Sequence, residues 1–314
     1  MNLSKPLFWD IKKESLLSIL LKPFTIIIRI NNFLLNRTNK IKSNKITSIC
    51  VGNIYLGGTG KTPLTIKLYK ILKKINKKTV VAKKYYTSHK DEIILLKKET
   101  KLLTGNTRTE ILSKAIKEKN EIVIFDDGLQ DKHVDYNLKF VCFDSLNWIG
   151  NGNLLPAGPL RENLESLKKY DAVFFKIIES QNFKAIRLIR KINPKIKIFN
   201  LKYEIKNLNK LSLSGKYLIF SGIGNPYSFK KILKNKKIKI VDQIIFSDHY
   251  DYTNKEILKI IIKAKNLKSK IITTEKDFVK IPKKYQNKFN YLKIGVKINK
   301  EQDLINFLRS KINA

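Results

Sequence analysis

The segment VGNIYLGGTGKTP, residues 51–63, constrains the fold of this chain more than any other stretch. It follows a short β-branched run, Ile46–Val51, and leads into a helical stretch, Pro63–Ile75. A strand, a glycine loop with Gly-Lys-Thr and a helix form the context in which a phosphate-binding loop is credible. One position is irregular, because the strict pattern begins with a Gly where this chain has Tyr55.

The residues of this loop have separate expected roles. Backbone N–H groups that face the phosphates would come from Gly57, Gly58, Thr59 and Gly60. Lys61 would reach the β and γ phosphates, and the Thr62 hydroxyl would be a ligand of Mg²⁺. The alternative is a Gly-rich turn that only caps a strand, which is the minority case for Gly-Lys-Thr at such a junction. Partition-type ATPases carry Lys at the position of Leu56, which argues against that class.

The segment EIVIFDDGLQ places acidic residues at the end of a predicted strand. Its strand part, Glu121–Phe125, is followed by Asp126, Asp127 and Gly128. In phosphate-loop enzymes a carboxylate at this position contacts Mg²⁺, and ligands of open α/β sheets bind at the carboxyl ends of strands. Asp-Asp-Gly alone is also a common turn. Together with the upstream loop, however, it predicts a site for ATP and Mg²⁺ with metal contacts from Asp126 and Asp127.

Strands and helices alternate along the chain. Further strands are predicted at residues 79–82, 121–125, 138–143, 172–178 and 216–220. This alternation predicts an α/β fold with a mostly parallel sheet flanked by helices. We expect a P-loop NTPase-like core over residues 41–210, a smaller C-terminal α/β lobe over residues 211–314, and an N-terminal amphipathic helix within residues 1–40.

Composition indicates a cytosolic globular protein. The chain has 314 residues, of which 43% are hydrophobic, enough for a sizeable core. Cys50 and Cys142 lie in apolar runs and are expected to be reduced thiols.

The net charge is +38, but only 7 of the 64 basic residues are Arg, and Lys is spread along the whole length. A nucleic-acid binder would cluster its basic residues and interleave aromatics, so we expect no nucleic-acid partner. The Lys surplus is typical of an AT-rich genome and would still attract anionic lipids.

The N-terminal segment ESLLSILLKPFTIIIRINNFLL, residues 14–35, is apolar but interrupted. Lys22, Pro23 and Arg29 leave it short of an uninterrupted span of about 18 apolar residues. Five apolar residues recur at roughly helical spacing: Leu16, Leu20, Phe24, Ile27 and Leu34. Two interpretations stay open on these residues alone. One is a helix that lies in a membrane interface with its basic residues at the headgroups, and the other is a helix packed on the body of the protein.

Six motifs in order give the chain a specific resemblance. VGNIYLGGTGKTP, FDDGLQ, NGNLLPAGPLRE, FSGIGNP, SDHYDYT and TTEKD occur in the order seen in the tetraacyldisaccharide 4'-kinase family of lipid A biosynthesis. The resemblance runs from about residue 46 to residue 280. That family also carries a non-Gly residue where Tyr55 stands, so the irregular loop resembles a family feature.

The resemblance implies a function. It implies ATP-dependent phosphorylation of the 4'-hydroxyl of a tetraacylated glucosamine disaccharide 1-phosphate, with Mg²⁺ as cofactor. It also implies a peripheral location on the cytoplasmic face of the bacterial inner membrane, where a lipid substrate stays in the bilayer. This favours a membrane contact for the N-terminal helix and gives the basic surface a use. We expect the protein to act as a monomer.

The resemblance also assigns a base and its partner. Asp91 in HKDE matches the family's proposed base for the sugar hydroxyl, and His249 in SDHY matches its partner. A carboxylate oriented by His is suited to accept a hydroxyl proton. The chain departs from the family here, because residues 82–86 read AKKYY instead of beginning Ser-Arg-Gly-Tyr, and Lys90 replaces the Gly before Asp91. The loop that presents the base is therefore shortened.

Four further residues match polar positions of the family's cleft. Arg161 would neutralise charge on the transferred phosphoryl group, and Glu162 would complete the Mg²⁺ shell. Arg108 and Gln130 would contact the nucleotide. The alternative for Arg108 is a solvated helix residue, and the alternative for Gln130 is a turn residue. The family's usual His after Gln130 is Asp131 in this chain.

Two other function classes are alternatives. One is a P-loop ATPase or GTPase switch with a protein partner, although Thr274–Asp277 matches a guanine-binding motif only loosely. A basic nucleic-acid-binding protein is the other, disfavoured by the diffuse Lys. No chemistry is predicted for Asn225, Glu275 or Lys276.

Overall fold

A computed structural model describes residues 6–11, 13–36, 40–178, 182–212 and 214–312 of the chain. Within the predicted 1–40 region, residues 1–5, 12 and 37–39 lie outside the described residues. The helices in the described part, in chain order, are α1 (Leu16–Leu21), α2 (Thr25–Asn36), α3 (Lys61–Lys74), α4 (Lys90–Glu99), α5 (Arg108–Lys117), α6 (Phe183–Ile192), α7 (Pro226–Asn235), α8 (Asn254–Asn266), α9 (Glu275–Phe278) and α10 (Glu301–Ile312).

The strands of the same part are β1 (Thr47–Gly52), β2 (Thr79–Lys84), β3 (Leu102–Gly105), β4 (Ile122–Asp126), β5 (Leu138–Asp144), β6 (Ala172–Lys176), β7 (Lys197–Ile205), β8 (Lys216–Ser221), β9 (Lys239–Ile245), β10 (Lys270–Thr274), β11 (Phe289–Leu292) and β12 (Ile294–Ile298). Short 3-10 turns lie at Leu7–Trp9, Lys22–Phe24, Thr87–His89, Leu164–Lys169, Leu208–Lys210 and Lys283–Lys288.

The described residues of the larger of two compact units lie within the ranges 6–85, 96–203 and 296–312. Its eight-stranded sheet has the order β12-β7-β6-β5-β1-β4-β2-β3. Strand β1 lies in the middle and runs parallel to both β4 and β5. Its register places Val51 beside Asp126, so the glycine loop and the acidic pair leave neighbouring strands at the same edge of the sheet.

Two apolar layers cover the two faces of this sheet. Ile49 and Val51 of β1 point to the face covered by α3, whose Leu64 and Leu68 are fully buried. Cys50 points to the opposite face, against Phe125 and the residues of α5. This alternation follows from the two-residue period of a strand. Cys50 and Cys142 are both buried free thiols, as their apolar surroundings predict.

The described residues of the smaller unit lie within the ranges 86–95 and 204–295. Its parallel sheet has the order β11-β10-β8-β9, with apolar clusters around Phe220 and Tyr217 on its two faces. The compact units differ from the predicted ranges 41–210 and 211–314 in three respects. Residues 86–95 and 204–210 belong to the smaller unit, and residues 296–312 belong to the larger one. The last residues belong to the larger unit because β12 joins its sheet and α10 buries Leu304 and Leu308 in its core.

The strands predicted from apolar runs are present with small shifts at their ends. The first covers Thr47–Gly52 and the fifth ends at Lys176, two residues before the predicted end. Apolar runs did not predict several other strands, including β3, β7, β9 and β12. The exposed or half-buried residues of β3 and β9 explain two of these omissions, because their sequences lack a continuous apolar run.

Candidate active site

The glycine loop follows β1 and leads directly into α3. Gly60 is the N-cap of α3 with a left-handed φ of 95°, and no side chain caps the helix end. A Cβ at Gly60 would lie 2.6 Å from the Tyr203 hydroxyl oxygen, so both backbone conformation and space require Gly there. Gly57 also has a positive φ, of 138°. The first N–H groups of α3 are therefore available to a phosphate.

Asn53 organises the loop and was missed by sequence reasoning. It is fully buried. Its side-chain Nδ2 donates to the Tyr55 carbonyl and, at 3.1 Å, to the Gly57 carbonyl. Its Oδ1 accepts a hydrogen bond from Lys61 Nζ at 3.2 Å. One amide thus holds the loop backbone and the lysine together. The signal was in the sequence, as a polar residue between a buried strand and the glycines.

Tyr55 occupies the position where the strict loop pattern has Gly. Its backbone pairs with Leu160 in an antiparallel bridge, so it is extended and needs no glycine. The side chain is 2% exposed and packs against Leu154 and Leu160. Its hydroxyl donates to Asp10. The irregular position therefore anchors the loop to the NGNLLPAGPL segment instead of bending it.

Asp126 lies at the end of β4 and receives three donors. Thr62 Oγ1 donates to its Oδ2 at 2.9 Å, and Thr65 Oγ1 to its Oδ1 at 3.2 Å. Lys83 Nζ lies 3.0 Å from Oδ2, and both charged side chains are almost fully buried. Sequence reasoning missed Lys83, which is one of the residues at which this chain departs from the family pattern. A buried charge of this kind is stable only when it is paired.

The oxygens of Thr62 and Asp126 fit a magnesium ion. Mg²⁺ in such sites takes few protein oxygens and keeps several waters or phosphate oxygens. A hydroxyl and a carboxylate oxygen stand side by side here, at the uncapped N-terminus of α3. Among the described residues, no three His, Cys, Asp or Glu side chains gather into a metal centre.

Asp127 connects the basic residues of the site. Its backbone is left-handed, with φ of 65°. Its Oδ2 lies 3.4 Å from Lys61 Nζ, and its Oδ1 lies 3.6 Å from Arg161 Nη1. Arg161 Nη1 also donates to Gln130 Oε1 at 3.3 Å. Lys61 and Arg161, predicted separately from distant motifs, therefore meet at one carboxylate, and Gln130 is linked to it through Arg161.

Glu162 and Arg108 lie beside this group but make other contacts. Glu162 accepts hydrogen bonds from Gln130 Nε2 at 3.1 Å and from the Tyr170 hydroxyl at 2.9 Å. Arg108 donates to the Asp127 carbonyl and, at 2.6 Å, to Asp131 Oδ2. The roles of Glu162 as metal ligand and of Arg108 as nucleotide contact stay predictions.

The residue that departs from the family pattern, Asp131, has a defined structural role. Burial would raise the pKa of Asp131, but hydrogen bonds from His133 and the charge of Arg108 outweigh burial and lower it. Asp131 is thus a charged partner that fixes the Arg108 guanidinium. The replacement of the usual His therefore leaves the arginine anchored.

A second buried lysine lies behind the glycine loop. Lys176, at the end of β6, is 2% exposed, and its Nζ lies 3.5 Å from Asp144 Oδ2. The same ammonium lies 3.4 Å from the Gly58 carbonyl and 5.1 Å from the centre of the Tyr203 ring. Burial lowers the pKa of Lys176, and the charge of Asp144 opposes that effect. Lys176 therefore supports the loop from the side of the sheet.

Asp91 and His249 lie together in the smaller unit. Asp91 is in the first turn of α4, and its Oδ1 lies 3.1 Å from His249 Nδ1. Asp91 is 2% exposed. Burial would raise the pKa of Asp91, but the hydrogen bond with His249 and the charges of Lys276 and Lys280 prevail and lower it. The shortened loop thus still joins the two residues, and their roles in the reaction stay predictions.

The motifs around this pair form a scaffold centred on Asp277 of TTEKD. Its carboxylate accepts hydrogen bonds from Gly222 of FSGIGNP at 3.1 Å and from Tyr252 of SDHYDYT at 2.8 Å. Asn225, for which no role was predicted, accepts from the Ser228 backbone at 2.9 Å and is the N-cap of α7. Three motifs are therefore joined by one buried carboxylate.

The N-terminal helices turn their polar side toward the larger unit. Ser18 is fully buried and donates to the Ala157 carbonyl at 2.7 Å. Thr25 is 8% exposed, and Asn32 donates to the Arg161 carbonyl at 3.0 Å. The predicted apolar stripe is exposed, each member by more than half: Leu16, Leu20, Phe24, Ile27 and Leu34. This pattern disfavours a helix whose apolar side packs on the protein.

The N-terminal segment Leu16–Leu35 is long and apolar enough to cross a membrane, by length and composition alone, with a mean hydropathy of 1.4. Lys22, Pro23 and Arg29 still interrupt it, as the sequence analysis states. Only 11% of its most apolar 18 residues are buried.

Comparison with known proteins identifies the family. A model of the family described as tetraacyldisaccharide-1-P 4'-kinase matches residues 14–313. A tetraacyldisaccharide 4'-kinase of Pelagibacter ubique is 45% identical over 98% of both chains. The chain belongs to the tetraacyldisaccharide 4'-kinase family. One from Rickettsia canadensis is 34% identical, over 88% of this chain and 87% of the relative.

The fold of this family member is also that of a solved structure. LpxK of Aquifex aeolicus, solved in complex with ATP, has a TM-score of 0.69 and 23% identity, covering 95% of this chain and all of that one. The predicted family, fold class and kinase class are confirmed. Kinases of this family use ATP with Mg²⁺, so these predicted cofactors are confirmed as those of the family. The domain ranges, the site roles, the monomeric state and the absence of a nucleic-acid partner stay predictions.

Proposed function

We propose that this protein transfers the γ-phosphoryl group of ATP to the 4'-hydroxyl of a tetraacylated glucosamine disaccharide 1-phosphate. The observation that carries the proposal is the Thr62–Asp126 oxygen pair at the uncapped N-terminus of α3. Family membership supplies the acceptor, since the relatives are named for this reaction. Phosphoryl transfer needs mainly positioning and charge stabilisation, and the residues around Asp127 offer both.

The proposed roles follow from the chemistry of the side chains. Backbone N–H groups at the start of α3 and Lys61 bind phosphate oxygens. Thr62 and Asp126 would hold Mg²⁺, which neutralises phosphate charge when bound. Arg161 is a fixed cation suited to a transferring phosphoryl group. Glu162 and Arg108 keep their proposed roles as metal and nucleotide contacts.

The proposed acceptor step conserves atoms and charge. The 4'-hydroxyl oxygen forms a bond to the γ-phosphorus, and the hydroxyl proton passes to a carboxylate base. The bond between the γ-phosphorus and the bridging oxygen breaks, which leaves ADP. Asp91 is the proposed base because its pKa is lowered, so it is ionised at neutral pH. His249 is proposed to orient it.

We propose further that the protein works at the cytoplasmic face of the bacterial inner membrane. The support is the exposed apolar surface of α1 and α2, together with a net charge of +38 that would attract anionic lipids. The headgroup of a lipid substrate stays at this surface while its acyl chains stay in the bilayer. Access to the substrate would then need no extraction of the lipid.

The experiment is phosphorylation of the disaccharide 1-phosphate lipid in mixed micelles with γ-labelled ATP and Mg²⁺. A labelled bis-phosphorylated lipid is the expected product, and Asp126→Asn is the matched inactive control. Lipid-independent ATP hydrolysis without labelled lipid would instead indicate an ATPase switch. If the wild-type protein instead bound nucleic acid tightly and did not bind ATP, it would be a basic nucleic-acid-binding protein.

A further inference from the structure

A groove lies between the N-terminal helices and the NGNLLPAGPLRE segment of the larger unit. Its volume is about 640 Å³, which is within the range of pockets that hold small molecules. The helices contribute Ile19, Lys22, Ile26 and Arg29 to its lining, and the opposite wall includes Asn153 and Asn163. All these residues belong to the larger unit. The groove therefore offers apolar, amide and cationic side chains to one ligand.

The helix side of the groove is basic. The Arg29 side chain is exposed, and within the described residues it has no hydrogen bond or ion pair. A guanidinium is always charged and can bind a phosphate through two parallel hydrogen bonds. Lys22 Nζ lies 2.7 Å from Glu14 Oε2, and the two side chains are 45% and 40% exposed. Because an exposed ion pair contributes little, Lys22 can turn to an incoming anion at small cost.

The opposite wall presents two side-chain amides. Asn153 Nδ2 donates to Glu14 Oε1 and to Ser18 Oγ, both at 3.1 Å, and so holds this wall against α1. Asn163 precedes the 3-10 turn Leu164–Lys169, and its side chain makes no capping hydrogen bond there. Its amide can donate to a phosphate or sugar oxygen and accept from a sugar hydroxyl.

The groove adjoins a residue proposed to act in phosphoryl transfer. Asn32 on α2 donates to the Arg161 carbonyl at 3.0 Å. Arg29 lies three residues earlier on the same side of α2, about 4.5 Å along the helix axis. On the other wall, Asn163 lies two residues after Arg161. The Arg161 N–H donates to the Ile54 carbonyl at 2.7 Å. The segment that lines the groove is therefore also bonded to the glycine loop.

We propose that this groove binds the 1-phosphate end of the acceptor lipid, with Arg29 as the main phosphate contact and Lys22 as the second. The proposal rests on the proposed function for the identity of the lipid. A phosphate monoester carries about 1.5 to 2 negative charges near neutral pH, more than the diester of a phospholipid, and two cations complement that charge. Ile19 and Ile26 are 50% and 54% exposed, so they extend the groove into the apolar surface of α1 and α2, along which the acyl chains would leave it.

The first test measures binding without ATP. The probes are the disaccharide 1-phosphate lipid and its analogue without the 1-phosphate, each in nonionic micelles. Wild-type protein should bind the phosphorylated lipid roughly tenfold more tightly, as expected for charge-assisted hydrogen bonds. Arg29→Gln should lose most of this preference and bind the analogue as the wild type does. Arg187→Gln, which changes an exposed arginine of α6 in the same unit, should keep the preference.

Two results of this test would overturn the proposal. One is equal affinity of the wild-type protein for the two lipids, and the other is a full preference retained by Arg29→Gln. If Arg29→Gln weakens binding of both lipids equally, the arginine makes a general membrane contact and the proposal is also wrong.

A second variant and a competitor test the groove independently. Asn163→Asp adds a negative charge to the wall opposite Arg29, so it should weaken binding of the phosphorylated lipid and leave the analogue unaffected. Unchanged binding of both lipids by this variant would contradict the groove as the phosphate site. Phosphatidylglycerol at the same mole fraction should compete weakly. Full displacement of the phosphorylated lipid by phosphatidylglycerol would show a general site for anionic headgroups and overturn the proposal.

Kinetics separate this proposal from the proposed function. Arg29→Gln should raise KM for the lipid roughly tenfold, with kcat and KM for ATP little changed, because the 1-phosphate does not react. If the wild-type protein phosphorylates both lipids with equal KM, the groove assignment fails and the proposed function stands. If it phosphorylates neither lipid but binds the phosphorylated one more tightly through Arg29, the proposed function fails and the groove assignment stands.

Discussion

The Thr62 hydroxyl lies 2.9 Å from the Asp126 carboxylate, which joins the first turn of α3 to the end of β4. The register of β1 and β4 makes this contact possible, because Val51 stands directly beside Asp126 at the edge where the glycine loop begins. Thr65, one turn later on α3, holds the other oxygen of the same carboxylate at 3.2 Å. The carboxylate is therefore oriented before any nucleotide binds.

Substitutions in the loop should abolish phosphoryl transfer without unfolding the protein. Lys61→Ala and Thr62→Ala should each reduce kcat by on the order of 10²-fold or more, because the site works by charge stabilisation. The measurement is lipid phosphorylation at saturating ATP, with a thermal melt as the folding control. Near-normal activity of Lys61→Ala would rule out this loop as the nucleotide site.

The buried pair of Lys83 and Asp126 should contribute strongly to stability. Lys83→Met should lower the free energy of unfolding by about 3–5 kcal/mol, because it leaves a buried carboxylate without its cation. Denaturant unfolding measures the loss. The control is Lys114→Met, which breaks an exposed pair with Glu110 and should cost far less, because exposed ion pairs contribute little. Equal losses in the two variants would show that Asp126 does not depend on Lys83.

Sequence reasoning identified the loop side of this site because local chemistry defines it. Gly60, Lys61 and Thr62 occupy a strand–helix junction whose geometry is the same wherever it occurs, and Asp126 follows a run of apolar strand residues. It missed Lys83 and Lys176 because their partners, Asp126 and Asp144, are distant in sequence. Each is a polar residue at the end of a buried strand, and only the sheet order reveals the carboxylate or backbone group that it meets.

The same limit applies to the fold. The central strands β1, β4, β5 and β6 were predicted because they are buried on both faces and read as apolar runs. Strand β12 was missed, and with it the return of the last residues to the larger unit, since five residues of mixed burial carry no clear pattern. The contact of Lys276 with His249 was equally invisible, because it depends on how α9 is placed relative to the loop at residue 249.

Asp91 and His249 should behave as a unit in kinetics. Asp91→Ala and His249→Ala should each reduce kcat by about 10²-fold or more, and the double variant should be little worse than either single one because coupled residues are non-additive. ATP affinity should barely change. A full double-mutant cycle on kcat measures the coupling. Multiplicative losses would contradict the pair, and an active Asp91→Ala would assign the base to another acid such as Glu92.

The pH dependence of turnover should report the lowered pKa of Asp91. The base acts when ionised, so kcat should fall on the acidic side as pH drops through the pKa of Asp91. His249 lowers this pKa through a hydrogen bond, so His249→Ala should move the acidic limb of the remaining activity to higher pH. Ionised Asp91 also stabilises the fold, because its pKa is lower in the folded than in the unfolded protein. This stabilisation is fully present above the pKa of Asp91 in the unfolded protein, and it is lost as pH falls through the pKa in the folded protein. An acidic limb that is unchanged in His249→Ala would show that another group controls it.

The exposed apolar surface of α1 and α2 should bind membranes. Leu20 and Ile27 are 63% and 61% exposed on the side opposite the buried Ser18. Replacing both with Gln should weaken partitioning onto phospholipid vesicles by about tenfold or more, since each side chain loses roughly 1.5–3 kcal/mol of possible burial. Sedimentation with vesicles at high salt measures this, because salt screens the attraction between the Lys-rich surface and anionic lipid.

The matched control replaces Leu258 and Ile262, which are 43% and 57% exposed on α8, and should leave partitioning unchanged. Equal losses in both double variants would show that general surface hydrophobicity, and not these helices, carries the membrane contact. ATP binding should be the same in all three proteins, because all four substituted side chains are solvent-exposed.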